Sequence, residues 1–192
     1  VLLPVSGNPA RCTELTMSHD LFSSFASFDS SNSSVVLVRD VAGDYRQVDA
    51  DEVLQAAQQV LLGRVRGSDV LASPQAVRDF LRVKLGALEH EVFAVVHLDT
   101  QNRVIEYVEM FRGTVSQTSV YPREVVREAM MRNSAALLLV HNHPSGSTQP
   151  SRADEMLTQT LKTALALVDV RVLDHLIVAG NDILSMAERG LM

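Results

Sequence analysis

Ala135-Ala136-Leu137-Leu138-Leu139-Val140-His141-Asn142-His143-Pro144, followed after six residues by Ser151-Arg152-Ala153-Asp154, is the stretch on which the reading of this chain turns. The apolar run at its start is far short of the roughly 20 residues that span a bilayer. Its continuity predicts a strand buried on both faces, as in sheets covered by helices on either side. Two histidines at i and i+2 leaving such a strand project from one face, so both imidazoles can converge at metal-ligand distance. Pro144, Gly146 and Pro150 shape the turn that follows. Asp154 then falls in the first turn of the next helix, from which its carboxylate can swing back as a third ligand. Three protein ligands leave a fourth tetrahedral corner for water, the pattern of catalytic zinc and not of a closed structural site. Two neutral histidines and one carboxylate leave the dication about +1, enough to acidify a bound water toward a pKa of about 7.

A site of this kind needs a carboxylate to relay the proton from water to leaving group. Glu89, Glu91, Glu106, Glu109, Glu124 and Glu128 precede the motif. Glu91 is favoured because it opens a strand read as central, where a carboxylate is otherwise poorly placed. Glu89, two residues back, is the fallback.

Outward from the motif, the patterning predicts helices alternating with strands. Val35 to Arg39 and Tyr45 to Val48 flank an Ala42-Gly43-Asp44 turn and read as a hairpin. Asp49 or Asp51 caps a helix that runs to about Leu62 and ends at Gly63. Ser73-Pro74 opens a second helix with an apolar stripe at Val77, Phe80, Leu81 and Leu85, stopped by Gly86. Val92 to Leu98 and Val104 to Phe111 read as an antiparallel pair around Asp99-Thr100-Gln101-Asn102. Pro122 opens a helix to about Asn133, Arg152 to Val168 is helical, and Val172 to Val178 with Ile183 to Met186 closes the sheet. The order is a mixed α/β arrangement of helices on a central sheet. Residues 1–33, rich in serine toward their end, are expected to be a disordered leader. Residues 34–70 form a small N-terminal hairpin and helix, and 71–192 the main domain. The chain opens on Val1, and Met17-Ser18-His19-Asp20 reads as a natural start, so residues 1–16 are set outside the fold reasoning.

The 192 residues, 46% of them hydrophobic, suffice for one substantial core. With 17 basic and 23 acidic residues the net charge is -6, which offers no attraction to a phosphate backbone or an anionic membrane. Neither residues 1–70 nor the remainder is cationic, so direct nucleic-acid binding is disfavoured by charge, and no membrane partner is expected. The single cysteine, Cys12, excludes an internal disulfide framework and any zinc site built on two thiolates. Val1 to Val5 is too short for an export signal, and the cytoplasm is the expected location.

At full spacing His141-x-His143-Pro144-x6-Ser151-x2-Asp154 resembles the JAMM zinc motif of MPN (JAB) domains. Glu91-Val92-Phe93, Phe111-Arg112-Gly113-Thr114, Pro122-Arg123-Glu124-Val125-Val126, His141-Asn142-His143-Pro144-Ser145-Gly146, Arg171-Val172-Leu173-Asp174-His175 and Ala187-Glu188-Arg189-Gly190 are similar to the RadC branch. The likeness covers about residue 70 to the end. It implies the layered MPN (JAB)-like, cytidine-deaminase-like fold, with a central mixed β-sheet flanked by helices. It also implies zinc on His141, His143 and Asp154, Glu91 as general acid/base, and Ser151 as a group that steadies the tetrahedral intermediate or its water. The chain looks like a shorter RadC-like paralogue, because the helix-hairpin-helix-like region usual ahead of the JAB domain is not legible in it. Tyr121 stands where relatives often carry His.

Blander readings stand beside these. Ser151-x-x-Asp154 is also a helix capping box. His175 beside Asp174 reads as a structural hydrogen bond away from the motif, and His97 and His90 as residues that pack or face solvent. Arg123, Arg127 and Arg132 interleave with Glu124 and Glu128 as a solvated helix face. Three functions compete. The first is a JAMM-type zinc metallohydrolase acting on a carbonyl, with a peptide or isopeptide as the expected substrate, and the second an accessory RadC-like role in DNA transactions. A zinc nucleobase deaminase is set aside, because H-x-E and P-C-x-x-C are absent.

Overall fold

A computed structural model describes residues 36–39, 43–70, 72–114 and 119–192. The expected leader at 1–33, together with Val35 and Ala42 of the hairpin reading, lies outside the described residues. The rest falls into two compact units, the first closing at Val53 and the second running from Leu54 to Met192.

In the first unit β1 (Val36–Arg39) pairs antiparallel with β2 (Tyr45–Val48), in the register Val36↔Val48 to Arg39↔Tyr45. Asp49 caps α1 (Ala50–Val65): its Oδ1 accepts from Glu52 N at 2.8 Å, and Glu52 Oε2 accepts from Asp49 N at 3.3 Å. Gly63 does not stop this helix. Leu61 and Val65, four residues apart on one face, are both buried. That burial outweighs the roughly 1 kcal/mol that glycine costs inside a helix. The chain turns instead at Gly67, whose φ of +74° suits glycine.

In the second unit the alternation of side chains explains the layers. The elements are α1 from Leu54 onward, α2 (Pro74–Leu85), β3 (Val92–Leu98), β4 (Val104–Arg112), α3 (Pro122–Met131), β5 (Ala136–Asn142), α4 (Arg152–Ala166), β6 (Arg171–Ala179) and β7 (Asp182–Ser185). The sheet runs β4-β3-β5-β6-β7, parallel between β5 and β6 and antiparallel elsewhere. Ala94, Val96, Leu138, Val140, Leu176 and Val178 pack on one face against Leu61, Val77, Phe80, Leu81 and Leu85 of α1 and α2. Phe93, Val95, Leu137 and Leu139 pack on the other against Val125, Ala129, Leu161 and Leu165 of α3 and α4. Covered on both sides, β3 and β5 are buried at every position. This is the mixed α/β fold with a central mixed sheet flanked by helices that the sequence predicts.

Two helix boundaries have causes different from those expected. Ser73 stands at the N-cap of α2 without a side-chain capping bond, leaving Pro74 as the local start signal. Gly86 has an ordinary helical φ of -63°. It is glycine because a Cβ there would lie 2.3 Å from the Gly180 carbonyl oxygen. Among the described residues no helix is long and apolar enough to cross a membrane.

His97 does not face solvent. It is fully buried, with Nδ1 2.8 Å from Ser134 Oγ and Nε2 without a partner among the described residues. Burial, reinforced by the charge of Arg132, pushes this imidazole down from 6.5 to about 4. Between those values the unfolded chain holds the extra proton. Stability is therefore full above about pH 6.5 and is lost as the pH falls toward 4, by up to roughly 3 kcal/mol for this one group. Urea midpoints are expected to drop across that window, and to drop less steeply in His97→Gln. Equal slopes for the two proteins would refute this assignment.

Candidate metal centre

The site is assembled at the C-terminal end of β5. The strand runs two residues past the apolar stretch and carries His141, which is 2% exposed. His143 leaves the strand but keeps its register, its N–H donating to Val178 O of β6 at 2.8 Å. Gly146, with φ +79°, then reverses the chain. The turn brings Ser147 O to 2.7 Å from His143 Nδ1.

The capping box and the candidate ligand prove to be one structure. Ser151 Oγ accepts from Asp154 N at 3.2 Å, while Ser151 N and Oγ both donate to Asp154 Oδ2, at 2.7 and 2.6 Å. Held in this way, Asp154 presents Oδ1 to His141 Nε2 at 3.4 Å and Oδ2 to His143 Nε2 at 3.6 Å. The two Nε2 atoms are 2.9 Å apart, and one ligand atom from each of the three residues lies within 4.8 Å of the others.

Whether these groups suit a cation depends on where the ring protons sit, and the surrounding acceptors decide that. Ser147 O can only accept, so His143 carries a proton on Nδ1 and turns Nε2 toward Asp154 Oδ2 and His141 Nε2. Thr158 Oγ1 donates its one proton to the Asp154 carbonyl at 2.6 Å. In that arrangement it accepts from His175 Nδ1, 2.6 Å away, which leaves His175 Nε2 to accept from His141 Nδ1 at 2.8 Å. His141 Nε2 is then a lone pair. Two imidazole nitrogens and a carboxylate aimed at one point call for a proton or a cation shared among them. The donor set therefore fits a divalent cation.

The electrostatics agree. Burial pushes His141 down to about 4, so it is neutral near pH 7 and fit to ligate. Burial likewise depresses His175, helped by His141. His143 is raised, first by its hydrogen bond with Asp154 and further by the nearby Glu91 charge. Burial alone would raise Asp154, but bonds from His143 and Ser151 and the His141 charge hold it well below the usual carboxylate range.

Glu91 immediately precedes β3, two residues before Phe93, and so shares the sheet face of His141 and His143. On the β4 side its N–H donates to Thr114 O at 2.9 Å, and its C=O accepts from Gly113 N at 2.8 Å. On the β5 side Asn142 brackets it: Oδ1 accepts from Val92 N at 2.8 Å, and Nδ2 donates to His90 O at 3.0 Å. Asn142 is buried, and its amide sets the backbone on either side of Glu91. Glu89 is exposed and lies ahead of the strand. Tyr121 stands at the N-cap of α3 with its ring edge-on to Phe111. Arg123 and Arg127 pair with Glu124 on the solvated face foreseen for them, whereas Arg132 pairs with Glu128 and Glu106 with its side chain largely covered.

His175, which the sequence sets away from the motif, stands against His141, with His141 Nδ1 2.8 Å from its Nε2. The parallel register Leu139↔His175 carries it directly behind His141. Asp174, its expected partner, accepts instead from Ser185 Oγ at 2.5 Å and from the N–H groups of His175 and Ala187 at 2.7 and 3.0 Å. Thr158 and Asn142 were also missed. Thr158 did carry a signal, lying four residues after Asp154 and so above it on the same helix face.

A helix-covered mixed sheet that offers His-x-His from a strand end and Asp from the following helix is the layout of a JAB domain. The family model described as RadC-like JAB domain matches residues 71–191, and the chain belongs to that family. It is similar to a UPF0758 protein of Leptothrix cholodnii, 56% identical over 150 residues, which are 78% of this chain and 68% of the relative. A UPF0758 protein of Methylibium petroleiphilum is 55% identical with the same coverage of both chains. One of Acidovorax sp. is 57% identical over 150 residues, 78% of this chain and 63% of the relative. The chain spans about two thirds of the length of these curated relatives, whose names assign no activity.

Proposed function

We propose that this chain is a zinc-dependent metallohydrolase of the JAMM type, acting on a peptide or isopeptide carbonyl through a domain formed by residues 71–192. One observation carries the reading: Nε2 of His141, Nε2 of His143 and the carboxylate of Asp154 converge, one ligand atom from each lying within 4.8 Å of the others. His141, His143 and Asp154 would hold the metal. Bound there, zinc supplies Lewis acidity, which polarises a carbonyl and brings water toward a pKa of about 7.

The chain's own groups do the rest. Glu91 takes a proton from the attacking water and returns it to the leaving nitrogen. Its backbone, fixed by Asn142, Gly113 and Thr114, limits where that carboxylate can stand. Ser151 keeps Asp154 turned toward the histidines. Its hydroxyl also sits at the positive end of α4, where negative charge developing on the carbonyl oxygen is favoured.

The purified chain is expected to hold about one zinc. It is expected to cleave members of a panel of isopeptide-linked and C-terminal-tail substrates, with cleavage abolished by a chelator and restored by zinc. Cleavage indifferent to chelation, or a chain that takes up no zinc on reconstitution, would defeat the reading.

A further inference from the structure

Behind His141 lies a buried polar chain that none of these catalytic steps uses. It links His141 Nδ1 to His175 Nε2 at 2.8 Å, His175 Nδ1 to Thr158 Oγ1 at 2.6 Å, and Thr158 Oγ1 to the Asp154 carbonyl at 2.6 Å. His175 and Thr158 are both fully buried, with Phe93 edge-on to the His175 ring at 5.9 Å between centroids. The chain begins on one candidate ligand, crosses from β5 to β6 to α4, and ends on the backbone of another. An apolar pair would fill that space without the desolvation cost of an imidazole and a hydroxyl.

The direction of the chain has a consequence. With the Thr158 proton on the Asp154 carbonyl, where the 2.6 Å contact puts it, every proton back to His141 Nδ1 follows. Run the other way, the chain would put the His141 proton on Nε2, aimed at His143 Nε2 only 2.9 Å off, and the lone pair would be lost. The closed loop also ties the His141 ring to the same turn of α4 that carries the Asp154 carboxylate.

We propose that His175 and Thr158 are positioning residues for the metal: they lock His141 in the Nδ1–H tautomer and bind two ligands from different elements into one preorganised unit. This rests on the metal reading of His141, His143 and Asp154. Outer hydrogen-bond partners of ligating histidines typically contribute about 10–100-fold in metal affinity.

The test uses the full chain, with long-range nitrogen–proton correlation of labelled histidines in the metal-free protein at about pH 8, where imidazoles are neutral. Zinc affinity is measured alongside by competition with a chromogenic chelator. Wild type and Thr158→Ser are expected to show Nδ1–H on both His141 and His175 and to bind zinc alike. Thr158→Val and His175→Phe are expected to bind zinc about 10–100-fold more weakly, and Thr158→Val to release the His141 tautomer toward Nε2–H. An Nε2–H His141 in wild type, or wild-type zinc affinity in Thr158→Val, overturns the proposal. If the two disruptive variants do not fold, the wild-type and Thr158→Ser spectra decide it. A wild type that takes up no zinc sinks the metal reading instead, while its tautomers still report the direction of the chain.

Discussion

Asp154→Ala and His143→Ala are each expected to lose zinc, with affinity reduced by roughly a thousandfold or more, because a three-ligand site reduced to two loses its geometry and, in Asp154→Ala, its charge as well. The two variants should differ in the metal-free state. Asp154→Ala also removes the acceptor for both Ser151 N–H and Ser151 Oγ–H in the capping box, whereas the ring of His143 is partly exposed and bonds a loop carbonyl besides its contacts with Asp154 and His141. Asp154→Asn separates the two effects. It keeps an oxygen acceptor for Ser151 but lacks the negative charge, so its metal-free thermal midpoint should stay near wild type while its zinc is lost. Elemental analysis after dialysis, with melting curves on the same samples, reads both quantities. Full zinc occupancy in Asp154→Ala and His143→Ala would remove the ligand assignment altogether.

The parts of this site legible in the sequence are those set by local periodicity. His141 and His143 lie two apart on a strand and Asp154 lies in the first helical turn, so period-2 and period-3.6 geometry place them without knowledge of the rest of the chain. The buried strand and its covering helices are legible for the same reason. His175, by contrast, reaches His141 only through the parallel register of β5 and β6, which no local pattern encodes. A residue 34 positions from its partner is read as isolated until the strands are paired. Asn142 was legible as a residue between ligands but not as a clamp, since its partners His90 and Val92 lie across an antiparallel pairing. Gly63 and Gly86 show the same limit from the other side. A glycine reads as a stop, yet the first is passed over because Val65 has a core to enter, and the second answers to a carbonyl at Gly180 that sequence spacing cannot bring near.

Glu91→Gln is expected to keep about one zinc per chain and to lose turnover by roughly 10²- to 10⁴-fold, the usual contribution of a positioned general acid/base. The carboxamide preserves size and can still donate and accept hydrogen bonds, but it cannot take a proton from water at any working pH. Metal content should be unchanged because Glu91 is not among the three convergent ligands. Its charge raises His143, so the variant should, if anything, shed the His143 proton more readily and load zinc at slightly lower pH. A binding defect would raise KM, whereas loss of the proton relay lowers kcat with KM little changed and removes the ascending limb of the rate against pH. Glu89→Gln serves as the control. Glu89 is exposed and lies before β3, outside the backbone bracket made by Asn142, Thr114 and Gly113, and its substitution should leave both zinc and turnover intact. Should Glu91→Gln hydrolyse the same substrate at the wild-type rate, the carboxylate of a residue whose backbone is held on both flanks, and whose charge reaches His143, would have no part in the chemistry, and the relay would have to be assigned to another residue.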